Sequence, residues 1–215
     1  MARNFRCEMK DIIITGLIVS AGKSGRMGSF KPLMDYNGKT FLQRVILNLN
    51  SVCEKIIIVT GFNSESLQKE TIKLFRNKSE AFSSDKIQFV ENENYEKGMF
   101  TSLQKGLLLN RNTDWVLYHF VDQPGLPLEF YKDFTDQIDQ FHNWIQPSYH
   151  NNNGHPILFN TKIVDLILNS SENSNLRELS KNSIVKKKRW ECIYKNVLQD
   201  IDTQEDYLTS LNSGD

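Results

Sequence analysis

Short apolar runs alternate with helix-patterned segments along this chain, and that alternation constrains the fold more than any other feature. Ile12 to Val19, Lys55 to Thr60, Ile87 to Glu91 and Trp115 to Val121 are continuous, rich in β-branched residues and read as buried strands. Between them Thr40 to Leu49, Ser64 to Phe75 and Met99 to Leu109 carry apolar residues at helical spacing. Strand and helix in alternation imply right-handed βαβ units and a mostly parallel sheet of the α/β class. Ligands of such sheets lie beyond the carboxyl ends of the strands, so the loops after Val19, Thr60, Glu91 and Val121 are where chemistry is expected.

After Pro127 the pattern changes. A helix is expected around Glu129 to Phe141, a strand over Trp144 to Tyr149, a turn at Asn151 to Asn153 and a strand within Pro156 to Phe159. Helices over Thr161 to Leu168 and Asn175 to Leu179 and a strand near Arg189 to Tyr194 follow, an insertion with mixed strands suited to covering a substrate. With only Gly 11 and Pro 5 in 215 residues, a long flexible linker is not expected, and the whole chain 1–215 reads as one domain.

Charge and cysteine usage exclude several classes. Lys+Arg 26 balance Asp+Glu 26, so no whole-protein field attracts a polyanion. The basic run Lys186-Lys187-Lys188-Arg189 is short and reads as a solvated strand edge, so neither nucleic acid nor a membrane is expected as a partner. Cys7, Cys53 and Cys192 are far apart with no CxxC spacing, against both a disulfide framework and a zinc site. The apolar run at Ile12 is interrupted by Thr15 and Gly16, too short to span a bilayer, and no signal-peptide pattern precedes it. A reducing cytoplasmic location is the expectation.

The loop after the first strand reads Ser20-Ala21-Gly22-Lys23-Ser24-Gly25-Arg26-Met27-Gly28. Three glycines at intervals of three let backbone N–H groups turn inward around an anion, with phosphate the natural occupant. Gly22-Lys23-Ser24 invites a P-loop reading, but that motif needs a glycine at position 17, which is Leu, and a helix starting where Gly25 and Gly28 disfavour one. Arg26, and Lys31 in Phe30-Lys31-Pro32-Leu33, offer two cations for a triphosphate. The plainer alternative is a glycine-rich turn with two solvated cations.

Four further stretches stand out. Val121-Asp122-Gln123-Pro124 ends the most hydrophobic strand with a carboxylate, either a Mg²⁺ ligand or a turn Asp before proline. Asp200-Ile201-Asp202-Thr203-Gln204-Glu205-Asp206 puts Asp200 and Asp202 on one face if extended, and Thr203 with Asp206 forms a capping box. Asn92 to Leu103 is a polar strand-to-helix turn in which Gly98 allows close backbone approach and Thr101 and Ser102 offer hydroxyls; on chemistry alone it is an N-capped helix. Gly154-His155-Pro156 places a histidine, exposed by its neighbours, at a strand start. His119 lies inside a strand and reads as a core or supporting residue.

Ser20 to Gly28 followed by Lys31-Pro32-Leu33 resembles the signature loop of the MobA-like nucleotidyltransferases, most of all their molybdenum cofactor cytidylyltransferase branch. The resemblance runs from Thr15 to about Leu208 and is weakest over Ser170 to Lys188. It implies a three-layer Rossmann-like nucleotidyltransferase (nucleotide-diphospho-sugar transferase) fold, with a nucleotide-binding part at about 12–127 and an acceptor-binding part at about 128–200. Nucleotide contacts would come from Ser20, Ala21, Gly22, Lys23, Ser24, Gly25, Arg26, Lys31, Asn94, Gly98 and Ser102, with Arg26 and Lys31 catalytic. Asp122 and Asp202 would hold the metal, Mg²⁺ or Mn²⁺, with Asp200 the fallback for Asp202. His155 would face the acceptor, and Ala21 implies CTP rather than GTP. Gln204 replaces the proline usual in the family's Asp-x-Asp-Thr-Pro-Glu-Asp ending.

The activity so implied transfers CMP from CTP to the phosphate of molybdopterin, releasing pyrophosphate, for delivery to a molybdenum hydroxylase apo-enzyme. A sugar-phosphate or alcohol-phosphate acceptor and a non-catalytic nucleotide or cofactor carrier are the alternatives.

Overall fold

The computed structural model describes residues 12–23, 25–76, 84–110 and 112–212, with the Arg26 side chain also outside the description. In chain order the elements are β1 (Ile14–Ser20), β2 (Asp35–Tyr36), β3 (Lys39–Thr40), α1 (Phe41–Leu49), β4 (Lys55–Thr60), α2 (Ser64–Arg76), β5 (Ile87–Glu91), α3 (Met99–Leu107) and β6 (Trp115–Phe120). There follow α4 (Leu128–Thr135), β7 (Trp144–Tyr149), β8 (Asn152–Asn153), β9 (Ile157–Asn160), α5 (Thr161–Leu168), α6 (Leu176–Leu179), β10 (Lys187–Glu191) and α7 (Gln204–Asn212).

One sheet runs in the order β5-β4-β1-β6-β9-β7-β10, with β8 paired to β7. All neighbours on the β5 to β6 side are parallel, β9 runs antiparallel to both β6 and β7, and β10 is parallel to β7. Strand order reverses at β1, whose neighbours are β4 on one side and β6 on the other. That switch point opens a crevice beyond the strand ends, where doubly wound sheets bind ligands.

The strands are apolar on both faces because both faces are covered. Ile18, Ile56 and Ile58 pack with Phe41, Val45 and Ile46 of α1 and Phe130 and Phe134 of α4. Leu17, Ile57 and Val59 point the other way, to Leu103 and Leu107 of α3 and Ile163 and Ile167 of α5. This is the three-layer α/β fold expected from the sequence. A close approach of α3 to the sheet depends on Gly106, where a Cβ would lie 2.4 Å from Leu17 Cδ1.

Helix starts follow local chemistry: Thr40, Asn160 and Asn175 each accept a backbone N–H at the head of α1, α5 and α6. Two expectations fail. The helix around Glu129 ends at Thr135 rather than Phe141, because the Asp139 carboxylate accepts the N–H groups of Phe141 and His142 at 2.9 Å each. Those bonds give the backbone an alternative to the helix. The last strand lies at Lys187–Glu191 rather than Arg189 to Tyr194, in register with Trp144 to Ser148 of β7. The basic run therefore sits on the outermost strand, as expected of a solvated edge. No helix among the described residues is long and apolar enough to cross a membrane.

Candidate active site

A cleft of about 300 Å³ opens beyond the ends of β1 and β6. From the first loop it is lined by Ser20, Ala21, Gly22 and Gly25, from the next turn by Lys31 and Pro32, and from the end of β6 by Phe120, Val121 and Asp122. Tyr95, Met99 and Ser102 come from the β5–α3 segment and Asp202 from the approach to α7. Segments far apart in the sequence thus meet at the switch point.

The first loop is held from below. Ala21 is 3% exposed, and its carbonyl accepts the Phe62 N–H at 3.1 Å. Gly25–Met27 forms one 3₁₀ turn and Lys31–Leu33 another; no helix starts at Lys23, which removes the P-loop reading. Ser20 is 3% exposed and its hydroxyl has no hydrogen-bond partner. A buried, unsatisfied hydroxyl lining a cleft is a ready contact for a bound polar group.

Asp122 and Asp202 come together around one lysine. Lys31 Nζ lies 2.5 Å from Asp202 Oδ1 and 3.7 Å from Asp122 Oδ2, so one ammonium bridges the end of β6 and the approach to α7. Asp122 Oδ1 is buried without a hydrogen-bond partner. Burial pushes the Asp122 carboxyl up to about 6, the Lys31 ammonium pulls it down, and the Asp200 and Asp202 charges push it up again. Asp200 turns aside and accepts from Gln123 Nε2 at 2.8 Å; Asp202, not Asp200, lines the cleft. Beyond them the capping box forms as expected, with Thr203 Oγ1 donating to Asp206 and accepting the Asp206 N–H.

This arrangement fits a divalent cation. An ammonium already stands between two carboxylates, and one carboxylate oxygen is an unused acceptor. The described residues contain no cluster of three or more His, Cys, Asp or Glu groups able to cage a metal.

Other predicted residues fall outside the cleft lining. Lys23 pairs with Glu96 at 2.5 Å on the surface. Asn94 and Gly98 lie beside α3 without lining the cleft, and the head of α3 is Gly98 with no side-chain cap, so the side-chain capping expected there is not found. Asn92 braces the first turn of α3 through side chains rather than capping it, its Nδ2 donating to Thr101 Oγ1 at 3.0 Å and Ser102 Oγ at 2.9 Å. Ser24 and the Arg26 side chain lie outside the described residues. Tyr95, Met99 and Phe120 were not singled out from the sequence; their only signal was position, Phe120 at the end of β6 and Tyr95 and Met99 in the segment after β5.

His155 is less open than its neighbours implied. It is partly buried, its ring meets Phe120 edge-on at 4.6 Å, and its Nδ1 is buried without a partner. His119 is fully buried. Its Nδ1 faces the Phe120 carbonyl and therefore carries the proton, which leaves Nε2 to accept from Tyr131 OH, both at 2.7 Å. Burial pushes both imidazoles down to about 4 from an ordinary 6.5. A histidine whose folded pKa is depressed contributes stability that is present above its unfolded pKa and lost as pH falls through the folded one. Denaturant unfolding from pH 7 to pH 4 is thus expected to show a loss of up to about 3 kcal/mol per histidine. His155→Gln should remove about half of that slope, and an unchanged slope would sink the assignment.

Comparison with known proteins agrees with the geometry. The MobA-like NTP transferase domain matches residues 16–188. The molybdenum cofactor cytidylyltransferase of Escherichia coli strain K12 is 24% identical over 196 residues, spanning 90% of this chain and 93% of that protein. Rv0371c of Mycobacterium tuberculosis H37Rv aligns with a TM-score of 0.75 at 19% identity, covering 94% of this chain and 100% of that one, and is also known as a complex with manganese. The 4-diphosphocytidyl-2C-methyl-D-erythritol synthase of Anaerococcus prevotii aligns with a TM-score of 0.72 at 18% identity, covering 94% and 96%. At such identities the structural likenesses establish the fold, whereas the domain match spans most of the sheet and every strand end that lines the cleft except the Asp202 segment. With the loop, the acidic strand end and the strand order all agreeing, the chain belongs to the MobA-like NTP transferase family of nucleotidyltransferases.

Proposed function

We propose that the protein transfers CMP from CTP to the phosphate of a molybdopterin-type acceptor and releases pyrophosphate, requiring Mg²⁺ or Mn²⁺. The observation that carries this reading is the meeting of Asp122 and Asp202 around one cationic group at the mouth of a glycine-lined cleft. The acceptor and the base rest on the similarity to a molybdenum cofactor cytidylyltransferase across nearly the whole chain, and on Ala21 in the first loop.

An acceptor phosphate oxygen attacks the α-phosphorus in line, the bond to the β-phosphate oxygen breaks, and the electron pair leaves with pyrophosphate. No covalent enzyme intermediate is needed. Asp122 and Asp202 would hold a divalent cation, which would supply charge neutralisation at the phosphates. The chain's own part is orientation and charge: the backbone of Gly22 and Gly25 and the Ser20 hydroxyl receive the triphosphate. Arg26 and Lys31 meet the charge developing on the leaving group. Phe120 lines the cleft and His155 packs edge-on against it, on the side where the acceptor would sit.

A second reading, cytidylyl transfer to an alcohol phosphate or sugar phosphate, is favoured by the likeness in fold to the 4-diphosphocytidyl-2C-methyl-D-erythritol synthase. Pyrophosphate release from CTP, GTP, UTP and ATP, each with Mg²⁺ and with or without molybdenum cofactor, separates the two. Release with CTP that depends on the cofactor is expected. Release only with another nucleotide or a sugar phosphate selects the second reading, and nucleotide binding without release under any pairing makes the protein a carrier.

A further inference from the structure

Gln123 directly follows Asp122 and is 1% exposed, so both polar atoms of a long amide are withdrawn from water at the base of the site. Its Nε2 donates to Asp200 Oδ1 at 2.8 Å, and at 3.4 Å it also reaches the Val197 carbonyl. A carboxylate accepts only, so the nitrogen of the amide must be the atom that faces it. The Asp122 carbonyl accepts the Ile201 N–H at 2.9 Å, a second tie between the same two segments. The Val197 carbonyl also accepts the His155 N–H at 2.9 Å, and a Cβ at Gly154 would lie 2.5 Å from that oxygen. The end of β6 and the approach to α7 are thus tied directly by the Gln123 amide, and the strand start at His155 joins them through the same Val197 carbonyl. The amide Oε1 has no partner. Packing alone does not call for such a residue, since an apolar side chain of similar volume fills the space without an unsatisfied oxygen.

We propose that Gln123 is a positioning residue for the metal carboxylates. Its amide holds Asp200, and through Asp200 the segment 200–202, at the spacing from Asp122 that lets Asp122 and Asp202 share one cation. This inference rests on the reading of those two aspartates as the metal ligands.

The test uses the full chain without nucleotide and titrates Mn²⁺, following the free ion by electron paramagnetic resonance. Gln123→Met is expected to bind Mn²⁺ about tenfold to a hundredfold more weakly than the parent, the usual loss when a group orienting a metal ligand is removed. Asp200→Ala is expected to lose a similar factor. The double variant should be no weaker than the weaker single, because both changes remove the same hydrogen bond. CTP binding without metal should be unchanged in Gln123→Met, a readout that a general loosening of the fold would move. Binding by Gln123→Met within twofold of the parent overturns the proposal, as do losses that multiply in the double variant. Asp200 is exposed, so if Gln123→Met does not fold, Asp200→Ala decides the matter: binding within twofold of the parent overturns the proposal. If Asp202→Asn binds Mn²⁺ like the parent, the ligand reading itself fails. If Asp202→Asn abolishes binding while Gln123→Met retains it, only the positioning role fails.

Discussion

Replacing Asp122 by Asn is expected to lower turnover about a hundredfold or more while raising the stability of the metal-free protein. The two effects share one cause. The carboxyl is largely withdrawn from water beside Asp200 and Asp202, effects that outweigh the pull of the Lys31 ammonium, and its folded pKa of about 6 stands above the ordinary 3.8. The folded state thus holds that proton more tightly than the unfolded state does. Stability from this group is complete below pH 3.8 and is lost as pH rises through about 6, so at neutral pH its ionised form strains the fold. Asn keeps the shape without the charge, with an expected gain on the order of 2 kcal/mol, or about 4–8 °C in Tm at pH 7.5. The check is kcat with CTP alongside thermal unfolding in chelator. Unchanged turnover would remove the proposed mechanism, and a lower Tm would remove its electrostatic account.

Lys31→Met is expected to cost about a hundredfold in turnover as well, but with the opposite effect on stability. Lys31 is 9% exposed and its ammonium stands between Asp202 and Asp122, so the variant leaves two carboxylates facing each other. Removing one partner of a fully buried pair costs about 3–5 kcal/mol. Here the Asp202 side chain keeps 35% of its exposure, and solvent screening reduces the expected loss to about 1–2 kcal/mol. A cation that occupies the same gap should compensate for the missing ammonium. Millimolar Mn²⁺ is therefore expected to raise the Tm of Lys31→Met by more than that of the parent. Equal shifts in the two proteins would show that ammonium and metal do not compete for one position.

Most of the fold was legible before any coordinates because its signals are local. β4, β5, β7 and α5 fall on the residues whose pattern announced them, since a buried parallel strand needs a continuous apolar run and an amphipathic helix a stripe. The overlong helix around Glu129 shows where local signals stop: the Asp139 side chain captures two backbone N–H groups, a competition that periodicity does not register. The last strand starts two residues and ends three residues before the expected bounds, because its register is set by a partner strand more than forty residues away.

The site was legible as a set of types and positions. Glycines, a carboxylate beyond the most hydrophobic strand and an acidic pair near the C-terminus carry enough chemistry to imply an anion and a cation between them. Their assembly was not. Lys31 stands 171 residues before Asp202 and meets it only because the sheet brings the turn after β1, the end of β6 and the approach to α7 to one edge. By itself the sequence determined the layered α/β class, the loops that carry the chemistry and the residue types available there, because those follow from short-range periodicity and from what each side chain can bind. Only the tertiary structure decided that Asp202 rather than Asp200 lines the cleft, that Lys31 bridges both acidic segments and that His155 is partly buried. Such contacts join segments distant along the chain, and packing rather than any local preference selects them.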